Sequence, residues 1–232
     1  MIPIRDDAPR YTTPFVNYSL IALNVLVFLF ELALEPHSRS GFLFSFGMVP
    51  TNVTAGLHTG AYLAGLLPIF TSMFLHASWL HIIFNMWGLW IFGDNVEDYL
   101  GHFRYLMFYL LSGIGASLLH VLFNLGSQVP SVGASGAIAG VMGAYFLLFP
   151  SARVLTVVPF FFLYFTWLPA WLVLGYWFVA QFLSGAATSI TTSRQAGGGI
   201  AFWAHVGGFL TGVAMIKLFP RRAPRYRFTA WQ

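Results

Sequence analysis

The sequence predicts an all-α membrane protein whose main domain is a bundle of six helical spans. Three observations predict it. The 232 residues are 58% hydrophobic and 8% charged, whereas a soluble domain carries about a quarter charged residues. Apolar runs near the ~20 residues that cross a bilayer recur along the chain. The basic residues also fall mostly on one side of such a bundle. With six spans and both termini inside, Arg5, Arg10, Arg104, Arg153, Lys217, Arg221, Arg222, Arg225 and Arg227 are cytosolic, and Arg39 and Arg194 are outside. That is the bias expected of cytosolic flanks. The net charge of +4 is not spread along a face that would bind nucleic acid, so no nucleic-acid partner is expected. The absence of cysteine excludes disulfides, cysteine-bound clusters and a thiol nucleophile.

The elements follow in chain order. Residues 1–17 read as a cytosolic N-terminal tail. Its "MIPIRDDAPRYTTPF" is too long and polar for a signal peptide, and no cleavage site follows the first apolar run. The first span is Tyr18 to Leu34. Residues 35–73 are apolar in patches but interrupted by Pro36, Gly41, Gly47, Pro50, Gly56, Gly60 and Pro68. No single helix tolerates that, so this stretch reads as a long loop at the membrane interface with short helical pieces. The second span begins near His76 to Leu80 and stops at Gly93 and Asp94. The third runs from Phe103 to Phe123. The fourth, Ser135 to Phe149, is short enough that its N-terminus lies below the membrane surface. Residues 154–187 are too long for one span and contain Pro159 and Pro169. They divide into an apolar hook, Val154 to Thr166, and a fifth span, Trp167 to Ala186. After the polar loop "TSITTSRQAGGG" comes the sixth span, Ile200 to Phe219. The membrane domain is thus 18–219, and 220–232 form a basic cytosolic tail. Neither an internal repeat nor a transporter-like duplication is visible.

Polar side chains inside a bilayer are costly, which makes each a functional candidate. Those that stand out are His76, His81 and Asn85 in "HASWLHIIFN", Ser135 in "GASG" and His205 in "AHVGGFLTG". His81 and Asn85 are four apart and share a helix face. His76 lies five before His81, so it faces elsewhere or sits in the preceding loop. A zinc site is disfavoured, because no Glu or Asp stands nearby as base or ligand. Ser135 and His205 suggest different chemistry. A serine hydroxyl needs a base to take its proton, and neutral histidine suits that task. Small residues at four-residue spacing (Gly136, Gly140 and Ala144; Gly208 and Gly212) let the fourth and sixth spans approach closely. The alternative is that these are packing motifs, with Ser135 as an N-cap. The Ser135 amide opens a helix and lacks an intrahelical partner, so it can serve as an oxyanion donor beside His81 and Asn85. For His81 and Asn85 the alternative is an interhelical polar clamp.

These motifs, in this order, resemble the rhomboid family of intramembrane serine proteases. The resemblance extends to "WIFGDNVEDYLG" after the second span and to the long apolar first loop, and it covers residues 18–219. The form is similar to the bare six-helix prokaryotic type. The resemblance implies Ser135 as nucleophile and His205 as general base. It implies His81, Asn85 and the Ser135 amide as oxyanion stabilisers, with His76, Gly133 and Gly136 in support. No cofactor or metal is implied. It also implies single-span membrane-protein substrates that enter laterally from the lipid past span five. The cavity opens to the outer side of a cell (inner) membrane. The chain departs from the family at Ala139, where an aromatic residue packs on the catalytic histidine in some members. A Trp-Arg pair found in the loop of some members is replaced by "LLPIF" around Leu67 and Pro68. Glu97 is expected to pin the cytosolic end of span two. A catalytically silent relative that binds membrane proteins and a small transporter are the competing classes. The first usually lacks the serine or histidine. The second predicts ionisable groups spread through the bundle, or paired repeats.

Overall fold

The computed structural model describes residues 1–160, 162–191 and 201–220. A strand β1 (Ile2–Asp6) precedes α1 (Phe15–Ala33). Three short helices follow: α2 (Pro36–Phe46), α3 (Pro50–Thr59) and α4 (Tyr62–Thr71), the last running into a 3-10 turn at Ser72–Phe74. Then come α5 (Trp79–Leu100), α6 (His102–Phe123), α7 (Ser135–Leu148), strands β2 (Arg153–Phe160) and β3 (Phe162–Pro169), α8 (Ala170–Thr191) and α9 (Phe202–Met215).

Each expected span coincides with a helix, but the helices are not equal. Among the described residues, α1, α6 and α8 are long and apolar enough to cross a bilayer alone. The pair formed by Tyr62–Phe74 and Trp79–Leu100 joins them only as one broken span bent by 79°. His81, Asn85, Asp94 and Asn95 lower the mean hydropathy of α5, and Glu97 and Asp98 add charge to its last turn. At 14 residues, α7 is about 21 Å long, short of a ~30 Å hydrocarbon core. The start of the sixth span, most of the polar loop with Arg194, and the four tail arginines lie outside the described residues.

α7 is the hub. Residues Gly136 to Tyr145 are all buried, which suits a helix apolar on every side. It packs against α5, α6, α8 and α9. The first loop is built as its prolines require. Pro36 and Pro50 open α2 and α3, where proline's missing N–H costs nothing.

Two expectations are corrected. The fold is not purely α-helical. The hook is a β-hairpin, paired from Arg153↔Pro169 to Phe160↔Phe162, and β1 adds antiparallel to β2, Ile2 opposite Val157. Residues 2–6 are therefore part of a sheet rather than a free tail. The hairpin sequence is rich in β-branched and aromatic residues, which favour strands. Because it is apolar on both faces, no alternation reveals it. The second correction concerns Gly93 and Asp94, which do not stop the second span. The helix runs on to Leu100 and ends at Gly101, whose φ of 80° suits glycine. Gly93 instead allows close approach: a Cβ there would lie 2.1 Å from Asn17 Oδ1. Asp94 pairs with Arg10 at 3.1 Å.

Glu97 pins the end of α5, where it meets His102 Nδ1 at 2.5 Å, and the end of a second helix as well. Its carboxylate accepts from the backbone N–H of Val16 (3.0 Å) and Asn17 (2.7 Å). It therefore caps the N-terminus of α1, which has no acidic residue in its own first turn. Free N–H groups and the helix dipole both favour a carboxylate there.

Candidate active site

Ser135 is the first residue of α7. The N-cap is Ala134, with no side-chain cap, so the hydroxyl is not spent on the helix end. It meets the imidazole of His205, on α9, at 2.8 Å from Nε2. The helices come this close because backbone meets backbone. A Cβ at Gly208 would sit 1.9 Å from Gly136 O, and one at Gly212 would sit 2.0 Å from Gly140 O. Gly136 itself abuts α6, where a Cβ would lie 2.6 Å from Ala116 Cβ.

His205 is held from a side the sequence reading did not anticipate. Its Nδ1 lies 2.7 Å from Gln181 Oε1 on α8. The Trp177 ring, one turn earlier on α8, lies 5.7 Å from it at 35°. The signal for Gln181 was available: it is a lone amide within an apolar span. Its sequence context carries no motif, so it did not stand out beside the histidines.

His81 and Asn85 project from the first turns of α5, which Ser78 caps by accepting from the His81 N–H at 3.3 Å. Both face Gly133, two residues before Ser135. Gly133 has φ 128°, and a Cβ there would lie 2.6 Å from His81 Nε2 and 3.5 Å from Asn85 Nδ2. Only glycine suits this backbone and this proximity. The Gly133 N–H donates to Ser72 O at 2.8 Å, which ties the strand-like approach to α7 to the 3-10 turn.

His76 is fully buried in the connection before α5. Asn85 Nδ2 lies 2.9 Å from its Nε2, which fixes the amide's rotation. The His76 backbone is held in turn. Its N–H donates to Glu31 Oε1 at 3.1 Å, and its carbonyl accepts from Arg39 at 3.3 Å. Arg39 also approaches Glu31 at 3.8 Å. A buried carboxylate on α1 and an arginine on α2 thus brace the turn that carries His76, a connection the spacing of these residues does not reveal.

Beside Ser135 is a cavity of about 20 Å³ lined by Ser72, Met73, Gly113, Ala116, Gly133 and Gly136 among others. A space that size holds about one water. Among the described residues, no group of three or more metal-ligating side chains is arranged to hold an ion.

The comparisons with known proteins bear on this arrangement. A sequence model of the Rhomboid domain matches residues 63–222, which include every candidate site residue. The chain belongs to the rhomboid family. Among similar rhomboid proteins is rhomboid protein 1, mitochondrial, of Saccharomyces cerevisiae. It is 32% identical over 157 residues, 66% of this chain and 41% of the yeast protein. Rhomboid-like protein 11, chloroplastic, of Arabidopsis thaliana is 31% identical over 159 residues, covering 65% of this chain and 51% of that protein. Rhomboid protease GluP of Bacillus subtilis is 35% identical over 131 residues, covering 56% of this chain and 24% of that protein. The aligned parts span about half or less of these rhomboid relatives. Family membership and the apolar helices make this a membrane protein with a helical bundle.

Proposed function

We propose that this rhomboid is an intramembrane serine endopeptidase that cleaves single-span membrane proteins in or near their transmembrane segments. The observation that carries the reading is the 2.8 Å contact between Ser135 Oγ and His205 Nε2 across two helices. Family membership and the name of the GluP relative support it.

The steps follow from the groups present. The Ser135 proton passes to His205 Nε2 as Oγ attacks the scissile carbonyl carbon. Negative charge collects on the carbonyl oxygen, facing the Ser135 N–H, His81 and Asn85, and donors aimed there act most strongly in the transition state. On collapse, His205 returns the proton to the leaving amine. A water then repeats the sequence on the acyl-enzyme, and the cavity beside Ser135 suits such a water. The same narrow space favours a small substrate side chain.

In this reading α1, α5, α6, α7, α8 and α9 are six spans in a cell membrane, with both termini cytosolic. α7 is too short to span fully, so the site lies below the outer surface in a depression open to water. Substrates enter from the lipid past α8. The test is Ser135→Ala. It is expected to abolish cleavage of a single-span substrate in liposomes while the protein stays folded. A fluorophosphonate probe is expected to label Ser135, with labelling reduced in His205→Ala. Undiminished cleavage by Ser135→Ala overturns the reading.

A further inference from the structure

We infer that Gln181 is a positioning residue for the base, completing a Ser135–His205–Gln181 relay across three consecutive helices. The inference rests on the protease reading above and deepens it. Neutral imidazole carries one proton, and only the tautomer with the proton on Nδ1 leaves Nε2 free to accept from serine. The other ring nitrogen's partner sets which tautomer is present. Here that partner is Gln181 Oε1, an amide carbonyl with no proton to give, 2.7 Å away. An Nδ1–H therefore donates to it, and Nε2 points its lone pair at Ser135 Oγ, 2.8 Å away.

Among the described residues, no acidic group takes this role. The titratable side chains that interact with His205 are His81 from α5 and His120 from α6. Trp177 packs on the ring. Residue 139, one turn after the serine, is the small Ala139 and offers the ring no aromatic face. Gln181 and Trp177 supply from α8 the support that α7 does not. When Nε2 takes the serine proton, the Nδ1–H bond to the amide carbonyl remains. The imidazolium gains a dipole, and no proton moves to Gln181.

The experiment compares wild type, Gln181→Leu and Gln181→Glu, each with a thermal unfolding curve. Three readouts are taken: kcat and KM on a single-span substrate across pH, fluorophosphonate labelling of Ser135, and 15N shifts of labelled histidine. In a serine protease the wrong tautomer costs about 10⁴ in kcat. Gln181→Leu leaves the tautomers to equilibrate, so kcat is expected to fall about 10- to 100-fold with KM unchanged. The 15N shifts move to a mixture of tautomers. Gln181→Glu keeps an acceptor but adds negative charge, which favours the imidazolium. The base then stays protonated to higher pH, and the acid limb of the rate profile moves up.

Wild-type kcat and tautomer in Gln181→Leu overturn the inference. If Gln181→Leu does not fold, an unmoved acid limb in Gln181→Glu does the same. The two readings fail separately. Absence of labelling and cleavage in wild type defeats the protease reading, whereas the 15N shifts report on Gln181 without turnover.

Discussion

On the protease reading proposed above, Gly208→Ala should abolish cleavage without touching any reacting group. The new Cβ would sit 1.9 Å from Gly136 O, 2.9 Å from Gly136 C and 3.3 Å from Ala139 Cβ. The first two are backbone atoms in a helix and cannot swing aside. Carbon-to-carbonyl contacts settle near 3.3 Å, so α7 and α9 must part by more than about 1 Å. Gly136 follows Ser135 directly, and Gly208 lies one turn after His205. The displacement therefore falls on the 2.8 Å Ser135–His205 bond and takes it beyond the ~3.0 Å limit of a good O–H hydrogen bond. A misplacement of about 1 Å can cost roughly 10²-fold in rate, while overpacking costs about 1–3 kcal/mol of stability. The variant should thus remain folded and lose at least about 10²-fold in kcat. The assay is turnover of a single-span substrate with fluorophosphonate labelling, alongside the unfolding midpoint in detergent. Gly175→Ala is the control: its nearest neighbour, Phe146 Cε2, is 3.8 Å away, so it should be neutral or stabilising by up to about 1 kcal/mol. Wild-type turnover in Gly208→Ala, or equal damage in both variants, refutes the reasoning.

Gly133→Ala strains a φ of 128° and drives a methyl into the His81 imidazole. On the proposed reading this displaces an oxyanion donor, whose loss typically costs about 10²–10³ in kcat, so a loss of that size is expected while circular dichroism still reports an intact helical fold. At the other end of the bundle, the Arg153 N–H and guanidinium hold the Asp7 carboxyl below the usual carboxylate range. The contribution of this group is complete above that range and is lost as pH falls through the lowered value. Hydrogen-exchange protection of β1 should therefore drop at acid pH, and Asp7→Asn should remove that pH dependence.

The parts of this protein that the sequence makes legible are those where chemistry is costly. His81, Asn85, Ser135 and His205 are conspicuous because polar groups in apolar helices need a reason, and the structure gathers all four around Gly133 and the start of α7. Helix positions follow from apolar length and from proline and glycine, although Gly93 misleads because close packing and helix termination both favour glycine. The β-hairpin is hidden because a strand that is apolar on both faces has the same composition as a helix. The anchoring of His205 is hidden for another reason. Gln181 precedes it by 24 residues, and only the packing of α8 on α9 makes them neighbours. The brace of Glu31 and Arg39 on the His76 turn is equally a product of tertiary structure.

The sheet also has a consequence for biogenesis. Ile2 pairs with Val157, so β1 has no partner until about 150 further residues have been made. At about 5–20 residues per second, synthesis leaves β1 waiting on the order of 10–30 s. During that interval α1, α5, α6 and α7 are already available for insertion. Closing so long a loop adds little free energy compared with a short one, but it orders events. The opening strand docks only after the helices it leans on are in place, so its arrival reports that the cytosolic end of the bundle, in the orientation proposed here, has assembled.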